Sequence, residues 1–145
     1  MGSSEQAIAN LVYTYAERID VGDLAGVAAL FAQATYRSDR GGHYQGAREV
    51  LDALERAVIL HGGTPRTKHV TTNLIVEVDE VTGTAIARSY FTVLQATQSL
   101  PLQPILTGRY HDRFARSDEA WRFIDRYIML DQVGSLGEHV KRNLG

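Results

Sequence analysis

Apolar residues recur at helical spacing in the first part of the chain and at strand spacing through the rest. Ile8, Leu11, Val12, Tyr15 and Ile19 lie three and four apart, which predicts a helix over 4–19. Ser3 and Gln6 have the spacing of a capping box, and Glu5 adds negative charge to a first helical turn. A Val21-Gly22-Asp23 turn leads to a second N-cap at Asp23, and a short second helix buries Leu24, Val27, Leu30 and Phe31. Residues 34–39 read as a short strand carrying Tyr36. Gly41, Gly42 and Gly46 make the next segment a loop. Val50, Leu51, Leu54 and Val58 then mark a third helix, stopped at His61-Gly62-Gly63.

From Arg66 the period changes to two. In residues 66–79, Val70, Thr72, Leu74, Val76 and Val78 fall on one side, and His69, Thr71, Asn73, Ile75 and Glu77 on the other. A side as apolar as Val70, Leu74, Val76 and Val78 belongs in the core or at a self-association interface. Further strands are expected over 84–97, 105–116 and 121–131, with turns at 80–83 and 117–119 and a proline-marked loop at 100–104. Short turns between successive strands imply antiparallel pairing. The tail after Gly134 is expected to form a short helix over 136–144.

Helices followed by long strands argue for an α+β fold. Four or more long strands twist strongly and curl, and three N-terminal helices can close the concave side. The expected architecture is a cone-shaped, curved, mostly antiparallel sheet with a small-molecule pocket inside. A length of 145 residues fits a single domain over 1–145, with a core at about 5–132 and a tail at 133–145.

Composition narrows the chemistry. Fifteen basic against seventeen acidic residues give a net charge of −2, so neither nucleic acid nor an anionic membrane is an expected partner. The absence of cysteine excludes disulfides, thiol nucleophiles and thiolate metal sites. No apolar run approaches the ~18 residues of a membrane span, and no signal peptide opens the chain. The expected location is cytoplasmic. There is neither a phosphate-cradling glycine loop nor a GxSxG elbow, and no two histidines have HExxH spacing, so no metal and no cofactor are expected.

Two titratable residues stand out. Asp20 continues the apolar stripe of the first helix and sits at its C-terminus, where a carboxylate is disfavoured. It is either a turn-former with Asp23 or an acid with a partner. His69 opens the less apolar face of the first long strand and is either inert or a proton carrier. The remaining histidines are expected elsewhere: His43, His61 and His139 at the surface, and His111 opposite Tyr110. Leu106, Gly108 and Tyr110 share one strand face. Arg126, among Ile124, Ile128 and Leu130, is either buried with a partner or pocket-facing. The other arginines after Arg109 alternate with Asp112, Asp118 and Asp125, the pattern of a charge-paired, solvated sheet face.

The order of short motifs carries a resemblance. YxxxxDxGD spans Tyr15 to Asp23, LFA Leu30 to Ala32, YQGAREV Tyr44 to Val50 and KHVTTNLIVEVD Lys68 to Asp79. GRYHDRF follows at Gly108 to Phe114 and AWRFIDR at Ala120 to Arg126. Together these resemble the SnoaL-like branch of the nuclear-transport-factor-2-like superfamily, a cystatin-like α+β fold, over about residues 5 to 132. In site pattern the chain is most similar to lindane dehydrochlorinase and scytalone dehydratase, which pair an aspartate after the first helix with a histidine opening the first long strand. Asp20 and His69 match those positions, and Arg126 matches the dehydrochlorinase's pocket arginine. Tyr36 matches the aromatic after the second helix, and Asn73 keeps the His-x-x-x-Asn spacing. Ile19 stands where the dehydratase has a tyrosine, so that enzyme's proton-donor arrangement is incomplete. The likeness extends loosely to ketosteroid isomerase, for which Asp39 is the positional candidate base.

The resemblance implies a cofactor-independent lyase or isomerase, dehydratase-like, acting on a small cyclic or polyketide-like molecule. His69, Asp20 and Arg126 would be catalytic, with Tyr15, Tyr36, Asn73, Leu106 and Tyr110 binding substrate. It also implies a homo-oligomer, dimer or trimer. The alternatives are a non-catalytic small-molecule-binding domain of the same fold and a partner like the β subunit of an aromatic-ring-hydroxylating dioxygenase.

Overall fold

A computed structural model describes residues 2–141. Helix α1 is Ser4–Asp20, with Ser3 as its N-cap accepting from the Gln6 backbone N–H at 3.0 Å. The capping box is only half closed, because the Gln6 amide turns forward to Asn10 Oδ1 at 2.8 Å. Asp23 caps α2 (Leu24–Ala29) by accepting from Gly26 N. Gly22, between the two helices, has φ +82°, and a Cβ there would lie 2.1 Å from the Gly63 carbonyl. Only glycine permits that close approach.

Strand β1 (Thr35–Ser38) turns through the glycine-rich loop into β2 (His43–Gln45). The sequence pattern showed a loop there; the backbone instead pairs Tyr36 with Tyr44. Helix α3 (Gly46–Ala57) follows at once, and the Glu49 carboxylate accepts from Gln45 N. Four long strands follow: β3 (Thr67–Asp79), β4 (Thr84–Gln95), β5 (Gln103–Ser117) and β6 (Ala120–Val133).

The sheet order is β2-β1-β6-β5-β4-β3, antiparallel at every step except the parallel β1–β6 pair. It is a curved, open, mixed sheet. Its concave face carries Phe91, Val93, Tyr110, Phe114 and Phe123 against Ile8, Val12, Tyr15 and Ile19 of α1 and Val27 and Phe31 after it. Gly108 lets the layers meet: a Cβ there would lie 2.5 Å from the Phe91 ring, which stacks on Tyr110 at 4.3 Å.

Two bulges correct the expected strand faces. In β3 the register slips between Thr72 and Ile75, with Asn73 at φ +54°. His69 and Thr71 before the slip therefore share the inner side with Leu74, Val76 and Val78 after it, while Val70 and Ile75 face outward at 40% and 47% exposure. In β6, Phe114 pairs with Phe123 and Arg113 with Asp125, leaving Ile124 as the extra residue. Phe123 and Arg126 thus face inward together, although strict alternation puts them on opposite sides. An inserted residue reverses every later side chain in a strand.

The tail also departs from expectation. Residues 134–141 form no helix; they make a turn and an isolated bridge, Val58 to Val140, with Leu136 buried. Residues 142–144 of the expected helix lie outside the described residues.

Candidate functional site

The helices and the concave face enclose a cavity of about 500 Å³. Tyr15 and Ile19 come to it from α1, Leu54 and Val58 from α3 and its end, and Tyr36 and Tyr44 from β1 and β2. The long strands add His69, Phe91, Leu106, Tyr110, Ile128 and Leu130, and the tail adds His139.

At one wall the end of α1 meets the start of β3. The Asp20 carboxylate accepts from the Thr67 hydroxyl at 2.9 Å, the His69 backbone N–H at 2.8 Å and the His69 Nδ1–H at 2.7 Å. Burial pushes its carboxyl up, but the bonds from His69 and Thr67 outweigh burial and hold it below the usual aspartate value. An ionised carboxylate can only accept, so Nδ1 carries the proton. In that tautomer Nε2 is the acceptor nitrogen, on a ring that lines the cavity.

Across from this pair lie three tyrosines. The Tyr15 and Tyr36 hydroxyls share one hydrogen bond of 2.6 Å. Two hydroxyls joined by one bond leave one O–H free to donate elsewhere. Burial raises the pKa of Tyr15, and raises Tyr36 and Tyr110 well above the ordinary tyrosine value, so all three stay protonated at neutral pH. Tyr15 and His69 are close enough to touch edge to face, with centroids 6.4 Å apart.

Arg126 does not line the cavity. It is fully buried behind the tyrosines, with Nε and Nη2 donating to the two Asp112 carboxylate oxygens at 2.8 and 3.0 Å. Its guanidinium lies 3.7 Å from the Tyr110 ring centre and 4.4 Å from that of Tyr15. Burial would draw its proton off; Asp112 reverses that effect, so the arginine stays cationic. Burial pushes the Asp112 carboxyl up despite Arg126. Arg126 therefore reaches the cavity only through the rings stacked on it, by lowering the Tyr15, Tyr36 and Tyr110 pKa values against burial.

Tyr15, Tyr36, His69, Leu106 and Tyr110 thus share one chamber, with Asp20 behind His69 and Arg126 behind the tyrosines. Asn73 is apart from it, exposed at the β3 bulge where its left-handed backbone is needed. Asp39 is exposed too, its carboxylate accepting from Leu130 N. Two participants escaped the sequence pattern. Asp112 looked like one of several surface acids, although its two-residue offset from Tyr110 puts it on the inner face. His139 was expected at the surface; it is 5% exposed and lines the cavity. No local signal marks it. Among the described residues no three His, Cys, Asp or Glu side chains are grouped to hold a metal. No helix there is long and apolar enough to cross a membrane.

Residues 3–127 match the SnoaL-like domain. The chain belongs to the SnoaL-like family. No functionally curated protein matches the sequence. Among solved structures, a variant of Rv3472 from Mycobacterium tuberculosis, a protein of unknown function, is 28% identical, covering 89% of this chain and 72% of that one, with a TM-score of 0.73. A candidate scytalone dehydratase from Novosphingobium aromaticivorans is 21% identical over 88% and 84% of the two chains, TM-score 0.71. The β subunit of a candidate aromatic-ring-hydroxylating dioxygenase from the same organism is 19% identical over 90% of each, TM-score 0.72. The last two likenesses show the fold alone, which is the cystatin-like, nuclear-transport-factor-2-like one. This SnoaL-like chain has that fold with a polar wall at one end of an aromatic-lined chamber.

Proposed function

We propose that this SnoaL-like protein is a cofactor-independent lyase or isomerase that removes a proton from a small cyclic or polyketide-like substrate. The observation carrying the proposal is the 2.7 Å contact between Asp20 and Nδ1 of His69, on a ring that lines the cavity. Asp20 fixes the tautomer that exposes a basic Nε2 and stabilises the imidazolium formed when Nε2 takes a proton. The free hydroxyl of the Tyr15–Tyr36 pair donates to the oxygen on which charge develops, or protonates a departing hydroxyl. Phe91 and Tyr110 offer flat apolar surface to a ring system.

A structural reading of the same pair has its own support. Asp20 also bonds the His69 backbone and Thr67, pinning helix to strand. Deuterium uptake by the α-carbon of 1-tetralone, a bicyclic ketone, separates the two. The wild type should accelerate uptake, and His69→Ala should lose about 10²–10⁴-fold, the usual contribution of a positioned base. Asp20→Asn should lower the rate and shift its pH profile. Undiminished exchange in folded His69→Ala would leave the pair a structural clasp.

A further inference from the structure

One imidazole of the cavity, that of His139, takes no part in the proposed proton removal. The segment 134–141 crosses the end of the chamber and is pinned on both sides of His139. Gly134 N donates to Ile105 O at 2.8 Å, Ile59 N to His139 O at 2.8 Å and Lys141 N to Ala57 O at 2.8 Å. The Glu138 carbonyl takes further bonds from His61 Nε2 at 2.7 Å and Gln95 Nε2 at 3.0 Å. Those bonds satisfy the main chain around His139, but none of them reaches its ring. The ring lies 5.9 Å from that of His69, centre to centre, and lines the same chamber. Its Nδ1 is shielded from water and meets no hydrogen-bond partner. A leucine would close the chamber there without leaving a polar group unpaired.

We propose that His139 is a ligand-contacting residue, a neutral imidazole that hydrogen-bonds an oxygen of a cyclic, otherwise apolar ligand held in the chamber it shares with His69. Neutrality follows from the geometry. A protonated ring carries hydrogens on both nitrogens, and the one on Nδ1 would have no acceptor. Burial, then the neighbouring His69, lower its pKa to about 4, with Asp20 opposing and His61 adding slightly to the effect. Nδ1 is out of a ligand's reach, so the contact falls to Nε2, which in a neutral imidazole donates one N–H to a substrate oxygen or accepts from a substrate hydroxyl without competing with His69 for the proton being moved. The inference rests on the chamber being a ligand site, as the proposed function does, and it does not require turnover.

Binding of 2-naphthol and of naphthalene, which differ by one hydroxyl, tests it by calorimetric and fluorescence titration. The wild type should prefer 2-naphthol. His139→Leu should weaken 2-naphthol by about tenfold, a factor matching one neutral hydrogen bond, and leave naphthalene unchanged. His139→Gln, which keeps a donor and an acceptor, should recover part of the preference. In the wild type, 2-naphthol but not naphthalene should move the His139 ring-nitrogen resonance, a readout that needs no variant to fold. An equal preference in folded His139→Leu, an unmoved resonance, or a wild type that ignores the hydroxyl would overturn the assignment. A His69→Ala protein with undiminished exchange would sink the catalytic reading while leaving this preference intact.

Discussion

The most consequential residue pair is one the chemistry does not touch directly. Arg126 and Asp112 are both fully shielded and held by two parallel hydrogen bonds. A buried ion pair adds little net stability over apolar residues of similar volume, whereas removing one partner strands the other charge. Arg126→Met should therefore cost about 3–5 kcal/mol, read from urea unfolding. The double variant Arg126→Met, Asp112→Leu should recover most of that loss; a double variant no more stable than the single one would mean the two charges do not compensate each other. Sequence left Arg126 open between a pocket role and a buried pair. The strand offset between Tyr110 and Asp112 decides it, because it brings Asp112 opposite Arg126 in register. Asp20 was marked by continuing the apolar stripe of the first helix, but its pairing with His69 followed from the family resemblance and not from spacing, because residues 49 apart are joined only by the fold.

At the scale of elements, the three helices and four long strands among the described residues could be read from period and punctuation. What could not be read is where a strand changes face. Clean alternation over β3 separates His69 from Leu74, Val76 and Val78; the bulge at Asn73 reunites them, and so permits one strand to supply both a core and a cavity wall. The bulge holds Asn73 at φ +54°, a conformation that asparagine tolerates and β-branched residues do not. Asn73→Gly should leave the melting temperature within a degree or two of wild type, while Asn73→Val should destabilise by about 1–2 kcal/mol. A valine variant as stable as wild type would mean the bulge is not held by backbone preference. An asparagine inside a strand pattern was the available clue, but periodicity gave it no more weight than its neighbours. The short β2 strand was hidden for a related reason: glycines on either side of it read as loop, and the β1 strand it pairs with is itself held by β6, far along the chain.

At the scale of the molecule, the tail decides how the chamber ends, and it makes stability depend on pH. In the unfolded chain His139 takes a proton near its ordinary value of 6.5; in the folded chain it does so only near 4. Between those values the unfolded state holds more protons, so stability rises with pH there and falls as pH drops from about 6.5 to about 4. The upper limit of that loss is roughly 3 kcal/mol, from ~1.4 kcal/mol per unit. Asp20 acts in an adjoining window. Its carboxyl is held below 3.8, so its contribution is intact above that value and disappears only as pH falls further. Asp112 opposes it, because burial raises that carboxyl and the folded state then binds the proton first. Chemical unfolding of wild type and His139→Leu at a series of pH values from 7 to 4 separates these contributions. The wild-type stability should decline across that interval and the variant's should stay flatter by up to the same roughly 3 kcal/mol. Parallel curves would mean that the His139 ring is not shielded in solution, and that the segment closing the chamber does not rest where its main-chain hydrogen bonds place it.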